Sequence, residues 1–170
     1  MSEDIIQFFG DLYDKFVAKI YRYIFLKVSN RETAEDLVSE AFLRAFKTMK
    51  KPGFRAQNPQ AFLYQVARNV IADHYRAKNP KTVPLEAAEF QFADDKDSPL
   101  QSAEIGLEMA KLQEALALLN GDYQDLIILR YIDEFSNAEI SEITGRSEEA
   151  VRVGIHRALQ ALREKLTTNK

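Results

Sequence analysis

Glu149, Arg152, Val153, His156 and Arg157 stand in the last stretch of a 170-residue chain at separations of three and four. At about 100° per residue they fall on one side of a helix, joined there by Gln160 and Arg163. Val151, Ile155, Ala158, Leu159, Leu162 and Leu166 fall on the other. The polar side has the chemistry of a major-groove reader. Arginine can bond guanine through two parallel contacts, glutamate can accept from cytosine, and valine can touch a thymine methyl. Arg146 and Ser147 precede this helix, and Ser147 is placed to cap it and to leave amide groups open to a phosphate.

A second group lies upstream. Lys50-Lys51-Pro52-Gly53-Phe54-Arg55 sets an aromatic ring among basic groups. A helix opened by Asn58-Pro59 then carries Gln65, Arg68, Asn69 and Arg76 along one side, with Leu63, Val66 and Val70 on the other. Cations that track a backbone, with an aromatic to receive a base, are what a single strand requires. Phe54 taken alone reads better as a plug in a helical bundle, while the loop and helix taken together read as DNA-binding. A third group, Asp36, Ser39, Glu40 and Leu43, shares the face of a helix opposite Val38, Ala41, Phe42, Ala45 and Met49. A leucine among polar groups there is a candidate partner contact, although single exposed leucines are common.

The elements that must position these groups are helical throughout. No sustained alternation of apolar and polar residues suggests a strand. The first helix is expected from about Asp4 to Val28, with Ile5, Phe9, Leu12, Phe16, Ile20 and Ile24 as its buried stripe. Ser29-Asn30 ends it. The second runs from about Glu32 to Lys50, and the third from Asn58-Pro59 to near Asn79-Pro80. Residues 80–103 hold Pro84, Pro99 and the run Asp94-Asp95-Lys96-Asp97 without a helical stripe, and read as a flexible acidic linker in which Phe90 and Phe92 could still dock. Helical pattern resumes near Ser102 and leads through Leu107, Ala110, Leu112, Leu116 and Leu119 to the turn Asn120-Gly121. After a short helix through Tyr131, Ser136-Asn137-Ala138-Glu139 has the form of a capping box. Thr144-Gly145-Arg146-Ser147 then turns the chain into the last helix, Glu148 to Leu166. Two helices joined by a short Gly-containing turn are the sequence form of a helix-turn-helix, and also of an ordinary αα-hairpin. The expected fold is all-α: two small helical domains, 1–79 and 104–170, joined by the linker.

Bulk properties narrow the function classes. The net charge of −3 hides an uneven distribution. Residues 41–81 carry nine basic and one acidic group, and residues 146–170 six basic and three acidic, whereas residues 105–145 carry eight acidic and two basic. Basic islands attract phosphate, and the acidic remainder opposes indiscriminate coating of DNA. No cysteine is present, which suits a reducing cytosol and excludes thiolate metal sites. His74 and His156 are the only imidazoles and suggest no metal set, so no cofactor is expected. Neither a signal peptide nor a membrane-spanning run is expected. There is no Gly-rich phosphate loop and no nucleophile with a plausible base, so enzyme chemistry and a small-molecule substrate are not expected.

Leu129-Arg130-Tyr131, Ser136, Glu139-Ile140, Gly145, Ser147, Val151 and His156-Arg157-Ala158-Leu159 resemble region 4 of bacterial sigma factors. Ala34-Glu35-Asp36-Leu37, Glu40, Phe42-Leu43 and Ala45-Phe46 resemble their region 2.2, and Phe62-Leu63-Tyr64, Ala67-Arg68-Asn69 and Asp73 their regions 2.3 and 2.4. With no further regions suggested, the resemblance is to the minimal, extracytoplasmic-function kind. It implies a cytoplasmic protein that binds core RNA polymerase through Asp36, Ser39, Glu40 and Leu43. It implies that Arg146, Ser147, Glu149, Arg152, Val153, His156 and Arg157 read the duplex −35 element. Lys51, Phe54, Arg55, Tyr64, Arg68, Asn69 and Arg76 would hold the melted −10 strand. An anti-sigma factor is an expected further partner. The chain departs from the family pattern at Ser39 (often Gln), Gln65 (often Arg), Glu134 (often Gly) and Gly154 (usually larger). The main rival is a stand-alone helix-turn-helix regulator that binds a palindrome as a dimer.

Overall fold

A computed structural model describes residues 2–78 and 103–168. The expected linker, including Phe90 and Phe92, lies outside the described residues apart from its last position. Among the described residues the protein is helical, with no strand.

The first unit is a three-helix bundle of α1 (Ser2–Val28), α2 (Arg31–Met49) and α3 (Pro59–Lys78). The α1 stripe is anchored by Leu12, Phe16, Ile20 and Ile24, all buried, while Ile5 and Phe9 toward its N-terminus are half-covered. Ser29 breaks the helix with a left-handed φ of 57°, and the Asn30 side chain then caps α2 by accepting from the Thr33 amide at 2.8 Å. Pro52 and Gly53 end the chain's second excursion, Gly53 at φ 82°, where a residue without Cβ is strain-free. Asn58 caps α3 through the Ala61 amide.

The second unit comprises α4 (Ala103–Ala117), α5 (Gly121–Ile127), a π-helical turn over Ile128–Ile132, α6 (Asn137–Thr144) and α7 (Glu148–Thr168). Asn120 is more than a turn signal: its side chain caps α5 at the Tyr123 amide. The capping box at Ser136 is complete in both directions, with 3.1 Å bonds to and from Glu139. Gly145 ends α6 at φ 77°, and Ser147 caps α7 by accepting from the Ala150 amide. Val151, Ile155 and Ala158 are buried, but the stripe thins toward Leu166, which is exposed.

The units do not stand apart. One apolar core runs from Ile20, Ile24, Leu63 and Ile71 through to Leu116, Leu129, Phe135 and Ile140. Tyr64 of α3 sits at its centre, edge-on to Tyr23 at 5.4 Å and to Phe135 at 4.8 Å between ring centroids. Helix α3 lies against α6, so the side of α3 that carries Arg68 faces the second unit.

Candidate nucleic-acid and polymerase interfaces

On α7 the structure brings Glu149, Arg152, His156 and Arg157 together on one exposed face, with Val153 half-buried at its edge. Arg152 keeps 68% of its side chain in solvent and lies 3.8 Å from Glu149, a loose surface pair that a stronger anion displaces at little cost. Arg146 is the exception. Its guanidinium is folded back onto Asp122 of α5 at 2.7 Å, so the residue ties α7's entry turn to α5.

Gly154 has a structural reason. A Cβ at this position would lie 2.7 Å from Leu126 Cδ1, and Leu126 is buried in the α5–α7 contact. The missing side chain lets the two helices approach closely. This contact sets the inclination of the exposed α7 face relative to the rest of the unit. Glu134, the other departure in this half, adopts a left-handed φ of 60°, a conformation that costs a residue with Cβ about 1 kcal/mol or more.

The basic loop is compact. The Phe54 amide donates to the Lys51 carbonyl at 3.2 Å, and the Phe54 ring packs on Phe62 at 4.9 Å. Phe54 is half-buried and lines a mostly apolar cavity of about 220 Å³ with Phe8, Met49 and Phe62. Lys51 and Arg55 point to solvent on either side. Along α3, Asn69 and Arg76 are exposed, and Arg76 lies 3.4 Å from Asp73. Tyr64 is different: it is completely buried under Phe135, out of reach of any nucleic acid in this arrangement. Arg68 is largely covered too, with Nε donating to Asp125 Oδ2 at 3.0 Å. Gln65, which departs from the family pattern, donates to the Glu142 backbone carbonyl of α6. The strand-binding group is therefore split. Lys51, Arg55, Asn69 and Arg76 are open, while Tyr64 and Arg68 are taken up by the second unit.

On α2, Asp36, Ser39 and Leu43 are exposed, Leu43 by 49%, and Glu40 is half-covered. Arg44 donates to Glu40 at 2.8 Å and to Asp73 at 2.6 Å. Those bonds raise its pKa and pin Glu40 beside Leu43. A leucine flanked by carboxylates on a rigid helix is thus presented outward.

Sequence reasoning missed the residues that join the units. Asp125 is fully buried, accepting from the Tyr23 hydroxyl at 2.6 Å, with Lys27 Nζ at 3.2 Å and Arg68 beside it. Burial pushes its carboxyl up, but Lys27 and Arg68 outweigh that and hold it below the usual carboxylate value. Tyr23 is driven well above its ordinary pKa, first by burial and then by the Asp125 charge. A second pair, Arg22 and Asp133, meets at 2.6 Å where the π-helical turn ends. There burial wins and raises Asp133. The excess of carboxylates between residues 105 and 145 was the only available signal.

Comparison with known proteins agrees with this layout. Residues 12–80 match the family Sigma-70 region 2, and residues 109–162 match Sigma-70, region 4. The ECF RNA polymerase sigma factor SigW of Bacillus subtilis is 31% identical over 166 residues, covering 93% of this chain and 88% of its own length. The ECF RNA polymerase sigma factor BldN of Streptomyces coelicolor is 34% identical over 157 residues, covering 91% of this chain, which spans only 58% of that relative. The sigma factor RpoE of Bartonella quintana, solved with the anti-sigma factor NepR, has the same fold at a TM-score of 0.71, 21% identity and coverage of 95% of this chain and 98% of that one. A stand-alone dimeric regulator leaves residues 12–80 without a counterpart and finds no support in these matches. The chain belongs to the extracytoplasmic-function family of RNA polymerase sigma factors, a family of transcription-initiation subunits rather than enzymes.

Proposed function

We propose that this chain joins bacterial core RNA polymerase and directs it to promoters through three surfaces. Domain boundaries at 1–79 and 104–170 assign α1–α3 to polymerase and the −10 element and α4–α7 to the −35 element. The exposed α2 group Asp36, Ser39, Glu40 and Leu43 docks the polymerase. The α7 face of Glu149, Arg152, Val153, His156 and Arg157, with Arg146 and Ser147 at its start, enters the major groove of the −35 duplex. Lys51, Phe54, Arg55, Asn69 and Arg76 hold the melted −10 strand, offsetting unstacking that costs a few kcal/mol per step, and Tyr64 and Arg68, covered by the second unit in this arrangement, join them only where that unit has moved off α3. The observation that carries this reading is the α7 face itself: a capped helix after a glycine turn, with its polar contact groups in solvent and its apolar stripe packed on α5.

No step makes or breaks a covalent bond, so the reading is of a non-enzymatic subunit. It works in the cytoplasm, where the polymerase is. An anti-sigma partner is in keeping with the family. Among the described residues no helix is long and apolar enough to cross a membrane.

Arg68→Ala and Asn69→Ala test the strand-holding part. Both should reduce permanganate reactivity of promoter thymines in the polymerase complex while leaving its initial docking on duplex DNA intact. Unchanged reactivity in both variants would remove α3 from the strand path.

A further inference from the structure

Arg146 stands apart from the rest of the −35 group because its guanidinium is held by a carboxylate of another helix. Its backbone is fixed. The carbonyl accepts from the Ser141 hydroxyl and the amide donates to Thr144 Oγ1 at 3.4 Å, both on α6. Only the side chain is left to swing. It runs back along the flank of α7, where Nη1 lies 3.9 Å from the point that a Gly154 Cβ would occupy and Nη2 meets Asp122 of α5 at 2.7 Å.

The pair is short but open to water. Arg146 keeps 38% of its side chain in solvent and Asp122 58%. The Lys27–Asp125 pair, with both side chains 8% exposed, shows what a lasting tie in this fold looks like. An exposed pair is held weakly, because water screens it and competes for both partners. A carboxylate and a phosphate each offer an arginine two acceptor oxygens, so one can replace the other on the same guanidinium. The residue before the cap of a groove-entering helix lies near the DNA backbone, and phosphate contacts there fix register without reading sequence.

We propose that Asp122 is a positioning residue for the −35 contact: it holds Arg146 beside α7 in the free chain and surrenders it to a backbone phosphate when the duplex seats. This rests on the reading of α7 as the duplex-binding helix. The exchange lowers affinity for every duplex by the same factor, because giving up Asp122 is required whatever the base sequence. A larger share of the affinity that remains comes from the outward groups of α7, Glu149, Arg152, His156 and Arg157. Weaker backbone binding also lets α7 leave an unsuitable duplex sooner.

The α7 face is exposed in the free chain, so the test uses the full chain alone. Fluorescence anisotropy follows its binding to a fluorescein-labelled, mixed-sequence duplex of about 30 base pairs, between about 20 and 150 mM KCl. The parent is compared with Asp122→Asn, Asp122→Glu, Arg146→Ala and the double variant Asp122→Asn/Arg146→Ala. Asp122→Asn should tighten binding about two- to fivefold, the worth of an exposed pair, with the parent's salt dependence. Asp122→Glu, which keeps the carboxylate, should bind as the parent does. Arg146→Ala should weaken binding and make the slope of log affinity against log salt shallower by about 0.9, one phosphate contact. The double variant should bind as Arg146→Ala alone. Unchanged or weaker binding in Asp122→Asn overturns the exchange, because a pair that only braced the turn would loosen it on removal. A parent-like slope in Arg146→Ala overturns it too, since Arg146 would then have stayed on Asp122. So does a gain that survives in the double variant, which would pass to Arg68, a cation that also feels the Asp122 charge. Arg152→Ala/Arg157→Ala beside these locates the fault. Weaker binding there, with no gain in Asp122→Asn, removes only the exchange. Unchanged binding there, or no duplex binding by the parent at the lowest salt, removes α7 from the duplex and the exchange with it.

Discussion

Gly154→Ala is the substitution for which helix propensity and packing predict opposite signs. Propensity alone favours alanine by about 1 kcal/mol inside a helix. The structure puts the new Cβ 2.7 Å from Leu126 Cδ1, whereas carbon atoms rest at about 3.5–4.0 Å, so roughly 1 Å must be found. Leu126 is buried on α5 against α7, so its methyl must be displaced within the packed core. Overpacking of this kind costs about 1–3 kcal/mol. The net is a loss of up to about 2 kcal/mol, or up to roughly 4–8 °C in Tm for a chain of this size. Thermal unfolding followed by circular dichroism measures it. The same substitution made in a Leu126→Ala background should instead stabilise by about 1 kcal/mol, because the obstruction is gone and only propensity remains. A rise of Tm in Gly154→Ala alone would refute the close α5–α7 approach and, with it, the stated inclination of the DNA-facing helix.

Three further outcomes are expected. Glu134→Gly should stabilise the chain by about 1 kcal/mol, since glycine adopts φ near 60° without the left-handed penalty; equal or lower stability on urea unfolding would deny the strain. Burial, with Lys78 nearby, lowers the His74 pKa in the fold. Its contribution to stability is therefore present above the ordinary histidine value and lost as pH falls through the lower folded value. His74→Gln should flatten the decline in stability between about pH 7 and pH 5, and an unchanged slope would show the imidazole to be uninvolved. Arg152→Ala should weaken transcription from a cognate promoter by about 1–3 kcal/mol at one −35 position if the residue reads a base, and equally on all −35 sequences if it meets a phosphate.

The sequence made the helices legible because their signals are local. Caps at Ser136, Ser147 and Asn58, breaks at Ser29 and Gly53, and the stripes of α1 and α7 all act within a few residues of chain. The outward faces of α2 and α7 follow from periodicity alone and stand as expected. Periodicity also overran, placing Leu166 on the apolar face of α7 although the residue is exposed near that helix's end. What periodicity could not supply is the meeting of residues far apart in the chain. Asp125 finds Tyr23 across about a hundred positions, and nothing local marks either as half of a pair. The same lack hid Tyr64, whose family motif suggests strand contact and whose surroundings bury it. The reason for Gly154 is not legible in the sequence, because the neighbour that requires it, Leu126, belongs to another helix.

The central claim is that the chain is a polymerase subunit, and one measurement bears on it most directly. The purified protein is run with bacterial core RNA polymerase on a sizing column, beside a Leu43→Ala/Glu40→Ala variant. The account predicts a stoichiometric complex that the paired substitution weakens, because the exposed leucine and its pinned carboxylate leave the docking face together. No complex, with tight binding of duplex DNA by the protein alone, would contradict it.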